Sequence, residues 1–294
     1  MNPTKTGWAP RTFMLLLMVY LLLPLLVTGL YAFAQDWQNS LLPNSWTLSW
    51  FSEMFKDIRF VEALWTSLYL CLISVVLSLA VMLPAVFVIT VYLPRLESFM
   101  KGIVVLPYAV PGVVAAVGLI RTYSSGPFDI SGTSYLLVGA YFVVILPYMY
   151  QGIRNSLLTV SAVELLNAAE LLGARRRNAF LNVILPNIWP GVIVSTLLSF
   201  SVLFGEFVLT NMLVGGHIQT IQVYLYQRVG ESGHLASAIA ISYFVFILVL
   251  SMLLMKLGKK MQGGYGDERF FKAAGCTQNV RQFLCAGQCG FANP

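Results

Sequence analysis

The sequence predicts an all-α polytopic membrane protein with six transmembrane helices and with N- and C-termini cytoplasmic. Three observations carry that prediction. Hydrophobic residues make up 58% of the 294-residue chain and charged residues only 10%, far outside the soluble range. Six apolar runs, near 13–34, 62–92, 99–120, 134–153, 188–213 and 236–257, are each long enough for a helix to cross about 30 Å of hydrocarbon. With the N-terminus inside, only Lys56, Arg59, Arg121 and Arg228 of the 18 Lys and Arg fall on outer segments, which obeys the positive-inside rule. The net charge of +6 therefore belongs to the flanks of spans and is no footprint of nucleic acid.

Residues 1–12 read as a cytoplasmic N-terminus and 13–260 as the six-helix domain. Ala32-Phe33-Ala34 resembles a signal-peptidase site, but the apolar run before it exceeds the roughly 7–15 residues of a signal sequence, so the first span reads as retained. The outer loop from Gln35 to Val61 holds Trp37, Trp46, Trp50 and Phe51, an interfacial aromatic belt in preference to a docking surface for an external protein. Span two is overlong, and Pro84 is expected to kink it or end it early. Pro107, Pro111 and Gly112 crowd the start of span three, which suggests a broken or bent helix at a pathway, against a packing kink at any one of them. The outer segment 124–134 is turn-rich through Gly126-Pro127 and Gly132.

The segment 161–186 is the longest polar interruption on the inner side. Ser161 and Glu164 have capping-box spacing. Leu165, Ala168, Ala169 and Leu172 fall at i, i+3, i+4 and i+7, an apolar stripe with two small residues at its centre. Gly173 stands where a left-handed C-terminal cap is wanted. Arg175, Arg176 and Arg177 open a second segment, expected to stop before Pro186 because residues preceding proline avoid the α region. The order Ala168-Ala169, three residues, Gly173, nine residues, Val183-x-Leu185-Pro186 resembles the EAA loop of permease subunits in bacterial ABC importers, with Asn167 at the usual Glu position and Val183 at the usual Ile.

Within span five, Glu206 is the one acidic residue inside any predicted span apart from Glu62 at the first position of span two, and it lies about 27 Å along a helix that starts near Ile188, in the outer third of the membrane. An ionisable group there faces a bundle interior or an aqueous cavity. A pathway or gate role stands beside a satisfied polar contact to Arg121 or Arg228. Gly205 permits close approach, and Ser195, Thr196, Ser199 and Ser201 either line the pathway or bond to neighbouring helices. The last outer loop, 215–235, contains His217, Arg228, Glu231 and His234 and an expected amphipathic helix over 221–229; its histidines have no carboxylate at metal-ligand spacing. Residues 261–294 read as a cytoplasmic, disordered tail, in which Cys276, Cys285 and Cys289 fit no zinc pattern.

There is no G-x4-G-K-[ST], HExxH or GxSxG pattern, so the chain reads as a non-catalytic membrane subunit. The resemblance covers roughly residues 10–260 and implies the type I ABC-importer (MetI-like) permease fold. Segment 124–133 and the Phe204–Phe207 step look most like permeases serving polyamines (spermidine/putrescine), 2-aminoethylphosphonate and ferric iron. It further implies an ATP-binding subunit dimer, a second permease of the same or a homologous chain, and a periplasmic or extracellular solute-binding protein, all at the bacterial inner membrane. On that resemblance Glu164, Asn167, Ala168, Ala169, Leu172, Gly173, Leu185 and Pro186 couple to the ATPase, and Glu206, Ser199 and Gly205 belong to the translocation pathway. No cofactor is expected in this chain; ATP and Mg would sit in the partner ATPase. A polyamine is the favoured solute, and a proton-coupled secondary transporter using Glu206 is the alternative.

Overall fold

The computed structural model describes residues 8–37, 42–125, 129–215 and 217–263. Helix α1 (Trp8–Phe33) presents apolar side chains outward along most of its length and packs chiefly on the last helix of the chain. The step suggestive of peptidase cleavage is packed away, with Ala32 and Ala34 fully buried. Ala34 pairs with Trp46 in an isolated antiparallel bridge, and a short helix α2 (Ser49–Lys56) follows. Asp57 then starts α3 (Ile58–Val91), its carboxylate accepting the Arg59 N–H at 3.0 Å.

Pro84 does not end α3, which continues for seven residues beyond it. A proline removes one donor and crowds the preceding turn, but ending the helix inside hydrocarbon would leave several more backbone groups without partners, so the helix resumes. Span three is broken, as its prolines suggest. Helix α4 (Glu97–Ala109) and helix α5 (Gly112–Tyr123) meet at 98°, with Val110 and Pro111 both extended between them. Helix α6 (Ser134–Thr159) begins at Thr133, whose hydroxyl accepts the Leu136 N–H, and carries Pro147 without interruption.

The inner loop holds α7 (Ala162–Leu171) and α8 (Arg176–Ala179). A π-helical turn, Phe180–Ile184, then leads directly into α9 (Leu185–Phe204). The expected stop before Pro186 is therefore absent, and one helical run spans Arg176–Phe204. The wider turn widens the spacing ahead of the proline ring, and Pro186 sits near the start of α9, where its missing N–H costs little. At its outer end span five breaks at Gly205–Phe207, then forms α10 (Val208–Val214). Helix α11 (Ile221–Val229) matches the expected amphipathic segment residue for residue. Helix α12 (Gly233–Gly263) takes in residues 261–263, expected in the tail, just as α1 takes in 8–12; Cys276, Cys285 and Cys289 lie outside the described residues.

Among the described residues five helical runs are long and apolar enough to cross a membrane, and the bent pair α4–α5, counted as one span, brings the number to six. Helices α3, α6 and α9 form the centre of the bundle around Leu70, Tyr141, Ile145, Met149 and Ile188. The α6–α9 contact is held by two reciprocal notches. Ser195 lies against Gly152 and Ser156 against Gly191, so that a Cβ on either glycine would overlap the facing serine hydroxyl. Each hydroxyl bonds back within its own helix, Ser195 to the Gly191 carbonyl at 2.8 Å and Ser156 to the Gly152 carbonyl at 2.7 Å. That satisfies the hydroxyls and lets the two backbones approach as closely as small residues allow.

Candidate functional site

At the inner end, α6 and α7 are joined by only Val160 and Ser161. Ser161 adopts φ 48°, ψ 53°, and is the only non-glycine residue with positive φ among those described. The expected capping box is not formed: the Ser161 side chain makes no cap bond. The residue must close α6 as well as open α7, and its N–H bonds to the Leu158 carbonyl at 3.1 Å in the manner of a left-handed helix end. That conformation turns the hydroxyl away from the first turn of α7. Glu164 is exposed there.

Gly173 has φ +85°, with Gly173 N–H on the Glu170 carbonyl at 2.9 Å and Ala174 N–H on the Ala169 carbonyl at 3.0 Å. Those paired bonds are the expected left-handed cap. The apolar stripe is rotated from its expected position. Ala162, Leu166 and Ala169 are buried against the chain itself, while Asn167, Ala168 and Leu172 are exposed and Leu171 is 89% exposed. Sequence spacing places Ala168 and Ala169 on one stripe; packing separates them, one inward and one outward. Leu171, absent from that stripe, is the most exposed apolar residue of the loop. Leu185 and Pro186 are half-buried at the base of α9, away from this open face. Arg176 reaches back to Glu170 at 3.0 Å and lies over the Tyr92 ring, fixing α8 to α7 and to the end of α3.

In the membrane half toward the outer side, α4, α5, α6 and the α9–α10 break line an open cavity of about 860 Å³. Its lining is apolar except for Thr122, Tyr123, Tyr135 and Glu206. Glu206 does not lie inside a continuous helix. It stands in the break, and its Oε1 accepts the Leu209 N–H at 2.9 Å, so the carboxylate caps α10. The alternative of a polar contact to Arg121 or Arg228 is met by a different partner, the Leu209 N–H: Arg228 is engaged by Asp57 and Glu231, and Arg121 lies exposed at the end of α5. Thr210 of α10 bonds to Tyr141 of α6 at 2.5 Å and ties the capped helix to the bundle. Gly205 faces Tyr243, whose hydroxyl would lie 3.0 Å from a Cβ there, and Ser199 is fully buried with no partner for its hydroxyl among the described residues; neither lines the cavity. Ser195 and Thr196 bond to carbonyls of their own helix.

At the outer face Trp50 and Phe51 are half-buried against the core, Trp50 donating its indole N–H to the Ala34 carbonyl at 2.9 Å and stacking on His234, while Trp46 is 61% exposed. Asp57 gathers the Arg59 backbone and side chain, the Tyr224 hydroxyl at 2.9 Å and the Arg228 guanidinium at 2.5 Å. Burial works against its charge, but the hydrogen bonds from Tyr224 and Arg59 outweigh it and hold the carboxyl below its ordinary range. No cluster of three metal-ligating side chains occurs among the described residues.

A model of the family described as binding-protein-dependent transport system inner membrane component matches residues 82–263. The chain is 27% identical over 242 residues to the protein named as 2-aminoethylphosphonate transport system permease PhnV of Salmonella paratyphi A, covering 82% of this chain and 89% of the relative. It is 23% identical over 267 residues to a spermidine/putrescine transport system permease PotC homolog of Mycoplasma pneumoniae, covering 87% and 92%. It also superposes on a chain in the crystal structure of a bacterial ABC transporter involved in the import of the acidic polysaccharide alginate, with a TM-score of 0.68 and 17% identity, covering 86% of this chain and 96% of that one. At that identity the likeness is one of fold.

Proposed function

The chain belongs to the family of binding-protein-dependent transport system inner membrane components, the permeases of ABC importers, and from that premise we propose that it carries a small polar or charged solute inward across the bacterial inner membrane. A polyamine such as spermidine or putrescine is the first choice of solute, with 2-aminoethylphosphonate or ferric iron next. The observation that carries the choice is Glu206, a carboxylate on the wall of a cavity that has no other charged lining residue. One of its oxygens is taken by the α10 backbone; the other has no partner among the described residues and is free for a cation.

The working assembly adds an ATP-binding subunit dimer on the exposed face of α7, a second permease completing the pathway and an external solute-binding protein at the outer face. ATP and Mg are bound by the partner ATPase, and this chain contributes no hydrolytic residue. Closure of the ATPase pushes α7. The two-residue turn at Ser161 passes that displacement to α6, and α8 with the π turn passes it to α9. The Gly–Ser notches make α6 and α9 move together, so the push arrives at the far end of α9 as a movement of the Glu206 break.

The test is isolation of the tagged chain in mild detergent with identification of co-purifying proteins, followed by reconstitution into vesicles. Recovery of a Walker-A ATPase and uptake of spermidine on addition of ATP supports the reading. Recovery of the chain alone, with uptake driven by a proton gradient in the absence of ATP, overturns it.

A further inference from the structure

Helix α11 is held in two different ways along its length. Its first half is buried through Ile221, Val223 and Tyr224, and the Ile221 N–H donates to the buried Ser67 hydroxyl of α3 at 2.8 Å. Its second half is open: Tyr226 is 64% and Val229 61% exposed. What fastens that half is charge. Arg228, with a side chain only 12% exposed, lies between Asp57 and Glu231, and the Tyr224 hydroxyl donates to the same Asp57 oxygen that Arg228 contacts. Asp57 in turn caps α3 and follows directly on α2, so one carboxylate joins three helices at the outer corner.

The free half of α11 also touches the α9–α10 break. Tyr226 packs on Phe207 with ring centroids 4.9 Å apart, and Phe207 is the neighbour of Glu206 in the α9–α10 break. A shift of α11 therefore bears on the segment that sets the Glu206 carboxylate. The exposed outer face of the helix and its inner contact lie within one turn of each other.

We propose that Asp57 is a positioning residue for transport: it holds α11 at the angle at which contact by an external protein is passed through Tyr226 and Phe207 to the Glu206 break. The proposal rests on the importer reading for the identity of that external protein. Asp57 touches no solute and acts only through α11. With Arg59 holding one Asp57 oxygen and both Tyr224 and Arg228 of α11 meeting at the other, the half-buried carboxylate sets the helix in angle as well as distance, which an exposed pair does not.

The experiment compares wild type with Asp57→Asn, Tyr224→Phe and Arg228→Lys in the assembled transporter. Asparagine keeps the α3 cap and lysine keeps the charge. The first readout is amide hydrogen exchange over 222–229, with α6 as the internal control. The expected result is exchange raised roughly tenfold in Asp57→Asn and less in Arg228→Lys, with α6 unchanged. The second is ATP hydrolysis titrated with the purified external binding protein. Asp57→Asn is expected to raise the concentration for half-maximal stimulation about tenfold and the conservative Arg228→Lys less, while the stimulated maximum is kept in both. Unchanged exchange in both Asp57→Asn and Tyr224→Phe overturns the fastening. A lowered maximum with an unchanged midpoint overturns the positioning role. A wild-type complex that ignores the binding protein instead overturns the importer reading, and the exchange contrast still reports on α11.

Discussion

Gly152 on α6 lies directly beneath Ser195 on α9, so closely that one added methyl group would occupy the place of the serine hydroxyl. The mirror contact, Gly191 beneath Ser156, repeats the arrangement along the same seam. Because neither backbone can retreat without losing its own packing, Gly152→Ala is expected to destabilise the bundle by about 1–3 kcal/mol. Combining it with Ser195→Gly restores the space and most of the loss. Thermal unfolding of the two variants in detergent, followed by tryptophan fluorescence, checks this; equal stability of the single and double variants would deny the notch.

Ala168 and Ala169 are neighbours with opposite duties. Ala169 is buried against the chain, so Ala169→Leu is expected to lower the amount of folded protein in the membrane. Ala168→Leu and Leu171→Asp act on the exposed face, leaving abundance unchanged and reducing recovery of the ATPase by roughly tenfold in a pull-down. The reverse pattern would mean that α7 is turned the other way.

Gly173 occupies a left-handed conformation with open space around its Cα. Gly173→Ala therefore clashes with nothing and costs only the backbone preference, about 1–2 kcal/mol of local helix-end stability. Gly173→Asp adds a negative charge to the C-terminus of α7, where the helix dipole is unfavourable to it, and is expected to abolish ATP-driven uptake with the protein still in the membrane. Uptake by that variant at the wild-type rate, measured at matched abundance, would remove α7 from the coupling route.

Glu206 has a structural and an electrostatic role, and two substitutions separate them. Glu206→Gln retains an oxygen to cap α10 but loses the charge; its expected effect is a higher KM for a cationic solute with α10 intact. Glu206→Ala loses both and lowers kcat as well. Uptake assays over a range of solute concentrations decide, and identical behaviour of the two variants would leave Glu206 as a cap only.

Asp57 gives the fastening of α11 a pH dependence of known sign. Its carboxyl is held below the ordinary value of 3.8, so the folded state binds a proton less readily than the unfolded chain. The stabilisation is therefore complete above that ordinary value and is lost as pH falls through the lower, folded one. Amide exchange over 222–229, measured in wild type from pH 6 to about pH 3 after correction for the intrinsic rate, is expected to rise only at the acid end. In Asp57→Asn the acid rise disappears.

What the sequence makes legible is whatever rests on local backbone chemistry. The break at Pro107–Gly112 and the left-handed Gly173 follow from residue types that restrict or extend the backbone's choices, and helix 221–229 from its amphipathic pattern. What it hides is decided by neighbours. Ser161 satisfies a capping pattern, yet the end of α6 reaches it first and imposes a different backbone. Ala168 and Ala169 obey a helical stripe, but which of them turns inward depends on where α6 and α9 stand. Glu206 reads as a charge within the outer third of a continuous span because nothing around Gly205 announces that the helix stops there. Asp57 has no motif at all; its partners lie 167 and 171 residues away along the chain.

The π turn at Phe180–Ile184 holds one residue more than an α-helical turn would. Deleting a single residue from it would leave a regular, fully bonded helix running from α8 into α9. The same deletion would swing everything before it by about 100° around the helix axis. Arg175, Gly173 and the exposed side of α7 would then point along the bundle's flank instead of away from it. The spare residue thus works as a compass setting for the inner loop, and lineages that lose it are expected to regain one elsewhere between Gly173 and Pro186.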